Sequence, residues 1–355
     1  AGALTTGGSN VAIGSGALLV ATTASNNVAV GKDALTANSS GTDNVAVGDA
    51  AGDAVTTGSD NTLIGDNAGG ALTTGGNNTA IGSGALLVAT TAADNTAIGT
   101  AALAANSSGT DNTAVGFSAG DAVTTGSDNT LVGDNAGGAL TTGGDNTAVG
   151  SGALATEDGH GKNVAVGSES LATLNAGADS YNVGVGYQAG NDLTTGIQNT
   201  LLGGLAGDVL TDADYNVAVG VSALGADTKG SKSTAIGYST LTAQNFTTST
   251  DSMNTAVGYA AGAAITTGVS NTAVGALALD ANTTASYITA IGEKALSANT
   301  TGAKNTAIGR ATLQATTTQD NNTAVGYNSL SGGSNTAAGN TAVGAETLEA
   351  NTTGA

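Results

Sequence analysis

The stretch NTAVGYAAGAAITTGVSNTAVG, residues 254–275, states one phrase twice, first at Asn254 and again at Asn271. The same phrase runs along the whole chain. Counted from its first residue, it begins at 10, 27, 44, 61, 78, 95, 112, 129, 146, 163, 182, 199, 216, 233, 254, 271, 288, 305, 322 and 340. That makes 20 units on a 17-residue period, broken only by small insertions before 182, 254 and 340. A longer period lies on top, since residues 8–75 recur almost verbatim at 76–143. Units this short cannot each enclose a core, so neighbours must stack.

The columns of the repeat say what stacks. The first is Asn in 18 units, with Ser233 and Ile288 as exceptions. The second is Thr or Val throughout, and the third is mostly Ala, with Leu63, Leu131, Leu201 and Gly184. The fourth is always Val, Ile or Leu, and the fifth is always Gly. Two β-branched positions around a small one, ended by Gly, read as a three-residue strand and a corner. No 3.6-residue period is present, and Gly would interrupt every helical turn. The fold expected is all-β: a parallel β-solenoid of about 20 coils. Its Gly supplies a corner that a Cβ would obstruct, and its Asn column forms a ladder of side-chain amides. The chain opens and closes in mid-phrase, so residues 1–355 are expected to be one continuous array, a segment of a longer fibre.

An exchange between two columns supports stacked coils. At the eighth position after the Asn, 13 units carry Leu and seven carry Gly. All seven Gly units place a large aliphatic three positions later, as in Gly52 with Val55 and Gly69 with Leu72. Among the Leu units, only Leu171 with Leu174 does so. The two columns are expected to share one interior space, where overfilling or emptying costs roughly 1–3 kcal/mol or more.

Side chains alternate along a strand, so the second and fourth columns share one face and the Ala column takes the other. Because both are apolar, the Val/Ile/Leu column is expected inside, with Val47, Val115 and Ile308 buried. The stripe formed by Ala29, Ala46, Ala80, Ala97 and Ala114 is then expected against another chain or a threefold axis, in a homotrimer. The alternative is a flattened single-chain coil.

Composition excludes several classes. Seven Lys and Arg against 27 Asp and Glu give a formal net charge of −20, which repels nucleic acid and anionic lipid. With no Cys, there are neither disulfides nor thiolate metal sites. No apolar run approaches the length of a membrane-spanning helix, so no membrane insertion is expected.

The phrases NTAVGYNSL at 322–330 and NTTGAKNTAIG at 299–309 resemble the repeats of phage-type tail-fibre shafts. They are also similar to the head repeats of trimeric autotransporter adhesins. The resemblance covers essentially all 20 units, and the 17-residue period favours the tail-fibre side. It implies an elongated, usually trimeric protein, extracellular, on a cell surface or on a virion.

Candidate sites are few. His160, the single His, lies in TEDGHGK beside Glu157 and Asp158. An acid–base pair is conceivable there, but a solvated loop is the expected reading. No catalytic set can be assembled, and an enzyme is not expected. Asp94, Asp111, Asp128 and Asp145 occupy the column before the Asn on four consecutive coils. They are the candidate calcium ligands, although an exposed ladder can bear that repulsion without metal and no cofactor is expected. Tyr187, Tyr238, Tyr259 and Tyr327 share the column after the invariant Gly with Phe117. They are the candidate glycan contacts, against the plainer reading that the rings shield coil edges.

The function expected is a structural shaft or spacer of an extracellular or virion appendage, presenting an adhesive tip. The alternatives are an adhesin that binds host or cell-surface glycans or a receptor along the shaft, and an ice-binding solenoid. An inward direction expected for the Thr column counts against ice binding.

Overall fold

The structure, a computed structural model, describes residues 5–332 and 337–349. It forms two compact units, Ala1–Ser180 and Tyr181–Ala355. Each is a parallel β-solenoid with a 17-residue period, and the described residues contain no helix.

In the first unit, ten three-residue strands run from β1 (Val11–Ile13) to β10 (Val164–Val166). Each pairs in parallel with the strand one repeat away, at identical register. Thr96, Ala97 and Ile98 stand opposite Thr113, Ala114 and Val115. The second unit repeats the arrangement from β11 (Val183–Val185) to β22 (Thr341–Val343). It adds one short side pairing, β14 (Gly230–Ser231) with β16 (Thr250–Asp251), beside the longer coil that precedes Asn254.

The strand faces the opposite way from the expectation. Ala29, Ala46, Ala80, Ala97 and Ala114 are wholly buried within the chain's own coils. Val47 and Ile308 are 37% and 38% exposed, and Val115 is half-buried. The Val/Ile/Leu column therefore lies on the outer face, and the Ala stripe does not wait for another chain. Volume decides this. Each coil already encloses a Leu or its substitute, a second Ala column (Ala34, Ala51, Ala68) and the Asn column. Little room remains opposite the strand, and Ala fits where Val would overpack. The exceptions follow the same rule. Leu63, Leu131 and Leu201 enter the Ala column only in coils that have Gly at the Leu position. A Cβ on Gly69 would lie 2.8 Å from Leu63 Cδ2.

The Leu–Gly exchange holds in space. Leu35, Leu103 and Leu154 are buried, as are Val55, Leu72, Val123 and Leu140 in the Gly coils. A Cβ on Gly207 would sit 2.7 Å from Leu210 Cδ1. One interior volume is filled from either position.

The Asn ladder also holds, and it is buried. Asn112 Nδ2 donates to Asn95 Oδ1 at 3.1 Å and to the Gly126 carbonyl at 2.8 Å. Asn112 Oδ1 in turn accepts from the amide and the Nδ2 of Asn129. Ser233 and Ile288 interrupt the ladder, yet their amides still donate to Asn216 and Asn271. The invariant Gly has two reasons to stay. Gly116 adopts φ +144°, and a Cβ there would meet the Gly133 carbonyl oxygen at 2.3 Å.

Candidate functional site

Two features stand out from the uniform coils: the outer sheet face, and one irregular corner around Glu157. The outer face carries two columns. One is Thr or Val and the other is Val, Ile or Leu, and neither holds a charge in any of the 20 units. Both columns stand half-buried to exposed. The Thr side chains thus point outward, against the inward direction expected of them. Thr62, Thr79, Thr96, Thr113, Thr130 and Thr147 form an unbroken outward run in the first unit. Seven more, Thr234 to Thr341, do so in the second. At about 50 Å² of exposed side chain per strand, the aliphatic column alone offers roughly 500 Å² of apolar surface in each unit, the size of the largest patch on a typical monomer, which is often functional.

The aromatic column is exposed. Tyr187, Tyr238, Tyr259 and Tyr327 are all about half accessible, as is Phe117. Tyr238 and Tyr259 stack on one another with ring centroids 5.7 Å apart and planes within 8°. The Arg310 guanidinium sits 5.8 Å above the Tyr327 ring. Tyr238 and Tyr259 thus cover one another across adjacent coils, and Tyr327 faces a neighbouring cation.

Asp94, Asp111, Asp128 and Asp145 lie on the surface in left-handed backbone, with φ near +60°. The column favours Asp and Asn because these residues tolerate that conformation. Asp94 Oδ1 accepts from Asn77 Nδ2 at 3.1 Å. Among the described residues, these four carboxylates are not gathered into a group of three within metal-ligand reach.

One group is so gathered: Glu157, Asp158 and His160, each offering an atom within 4.8 Å of the others. Here the solvated-loop reading fails, because the Glu157 side chain is wholly buried. It occupies the interior position filled by Leu140 one coil earlier and by Asn106 two coils before that. In Asn106 the side chain caps its own turn, accepting from the Gly109 amide. Glu157 does the same with Oε1, which accepts from the His160 amide at 3.2 Å. Its other oxygen, Oε2, makes no hydrogen bond of normal geometry, although the Ala176 amide lies close enough to the carboxyl to favour its charged form. His160 Nδ1 is also without a hydrogen bond, 3.5 Å from Oε1. Burial pushes the Glu157 carboxyl above its ordinary pKa, opposed by the nearby Ala176 and His160 amides and by the imidazole. A buried polar atom left unmatched costs about 1–3 kcal/mol, so the corner is not explained by packing.

Sequence reasoning missed one structural column. The Thr or Ser next to the shared interior position donates its hydroxyl to the carbonyl one coil on, as in Thr56 to Thr73 at 3.1 Å and Ser107 to Thr124 at 3.1 Å. The near-invariance of hydroxyl residues in TTG and SSG was the available signal.

Compared with protein-family models, with curated proteins and with solved structures, the chain matches none.

Proposed function

We propose that this chain is a structural segment of an extracellular or virion fibre, whose coils associate side by side with further copies of itself through the outer sheet face. The observation that carries this reading is the uncharged Thr/Val and Val/Ile/Leu face on a chain of net charge −20. Identical copies repel one another except along that neutral stripe. A second copy also matches it at every coil, since both repeat at the same strand spacing of ~4.8 Å. The roughly 500 Å² of aliphatic surface per unit is a large share of the ~800 Å² that one partner contributes to a standard interface. Three copies around an axis is the arrangement that the fibre-shaft resemblance implies. The Ala column plays no part in it.

Sedimentation of the purified chain tests the reading. Ile98→Glu together with Val115→Glu should lower the assembled mass to that of one chain, with the β-rich circular dichroism retained. A wild-type chain that sediments as a monomer at micromolar concentration would refute it, and a dimer would refute the threefold form.

A second reading, ice binding, is favoured by the two runs of six and seven outward Thr, each beside an aliphatic. Thermal hysteresis that disappears in Thr96→Lys and Thr113→Lys would select it over the fibre.

A further inference from the structure

We propose that Glu157, Asp158 and His160 form a binding site for one divalent transition-metal ion of the zinc class. The three residues occur together in one coil. The eight preceding coils hold Ala, Asn, Val or Leu at the first position, Thr or Ser at the second, and Gly or Ala at the third. One coil thus replaces three bland residues with three ligand types at once. The geometry gives the replacement a direction. The Glu157 carboxyl is fully buried with Oε2 unmatched, and the Nδ1 of His160 lies beside it, also unmatched. Asp158 is exposed and free to swing toward them. Their ligand atoms lie within 4.8 Å of one another. Zinc bonds of about 2.0–2.1 Å place tetrahedral ligand atoms roughly 3.3 Å apart, so a modest rotation of Asp158 and His160 closes the set.

The donor types select the ion. An imidazole with two carboxylates suits Zn²⁺ and its neighbours in the first row, whereas Ca²⁺ and Mg²⁺ prefer oxygen alone. Two carboxylates neutralise the ion, and three protein ligands leave a fourth position for water. The backbone already holds the site in place. The His160 amide fixes Glu157 Oε1, and the His160 carbonyl accepts from Asn146 Nδ2 at 3.2 Å. Asp179, which also faces His160, is engaged by Lys162 and by the Gly161 amide. It is therefore occupied elsewhere.

The test is calorimetric titration of the metal-stripped chain with ZnCl2, followed by Co²⁺ absorption spectroscopy. The expected result is one ion per chain, with affinity falling at least tenfold in His160→Gln and in Asp158→Asn. Bound Co²⁺ should show the intense visible bands of a four-coordinate site, lost in His160→Gln. Both residues are at least partly exposed, so these variants keep the fold, and circular dichroism checks that they do. Excess Ca²⁺ should not displace zinc. Absence of zinc binding at 100-fold excess over chain, or binding that both variants leave unchanged, overturns the proposal.

Discussion

Replacing Asn112 with Ala removes one member of the buried Asn ladder, and the structure fixes what is lost. Four hydrogen bonds disappear: two donated by Nδ2, to Asn95 Oδ1 and the Gly126 carbonyl, and two accepted by Oδ1 from Asn129. The consequences differ among the partners. Asn95 Oδ1 still accepts from the residue-112 amide, and Asn129 Nδ2 still reaches the Gly143 carbonyl. The Gly126 carbonyl loses its side-chain donor, and the Asn129 amide loses its acceptor. Two buried groups left unmatched cost about 1–3 kcal/mol each, so the expected loss is roughly 2–6 kcal/mol. Stability in a stacked array is a local quantity, because each coil touches only its neighbours. The assay is therefore native-state hydrogen exchange, read at the Asn129 amide and at coils several repeats away. The Asn129 amide should exchange at least 30-fold faster, with remote coils unchanged. Asp111→Asn, an exposed change in a position that tolerates either residue, serves as the control and should stay within about 0.5 kcal/mol. An Asn112→Ala chain that exchanges like the control would refute the ladder as a source of stability.

Other outcomes follow from the same coils. Gly116→Ala should open its coil and the next in hydrogen exchange, since φ +144° and a 2.3 Å approach to the Gly133 oxygen both oppose a Cβ. Leu103→Gly should cost about 2–5 kcal/mol locally by emptying the shared interior volume. Adding Asn106→Leu should recover part of it, and strict additivity of the two changes in a thermal melt would contradict a shared space. Burial raises the carboxyl pKa of Asp208 and of Asp280 above the ordinary 3.8. The folded state then binds protons more tightly than the unfolded one. Their contribution to stability is complete below the ordinary value and is lost as pH rises through the raised ones. Urea titrations from pH 3 to 7 should show that slope, and Asp208→Asn with Asp280→Asn should flatten it.

The solenoid was legible because its signal is redundant. Twenty copies of one phrase average away the ambiguity of any short apolar run, and the invariant Gly marks each corner. The facing of the strand was not legible by hydrophobicity, since Val47 and Ala46 are both apolar and adjacent. Only the enclosed volume separates them, and that volume is set by residues elsewhere in the coil. A signal for it existed: Leu63, Leu131 and Leu201 appear only where the Leu position is Gly, which ties the Ala column to the interior. A Glu–Asp–Gly–His run is polar, so composition points to solvent at the Glu157 corner. Its column, shared with Leu140 and Val123, was the better guide than its composition. The left-handed backbone at Leu35 and Leu103, with φ near +50°, had no precedent in residue preference. It follows from the need to turn a coil while keeping a large side chain inside.

The uniform spacing of the coil-to-coil bonds has a consequence for how the chain acquires its structure. The coil-to-coil backbone bonds join residues about one period apart, such as Thr96 to Asn112 and Thr113 to Asn129, and the remaining ones close local turns, such as Asn106 to Leu103. An all-β chain of this length would ordinarily be a slow folder, because its strands must find distant partners. Here each new strand closes a loop of about 17 residues, whose length-dependent entropy is only about 2.5 kcal/mol and is the same at every step. Once two coils have docked, the third lays down on a finished template, and the process advances like a zipper. Folding time should then rise in proportion to the number of coils. Growth can keep pace with a ribosome, each coil settling as it emerges.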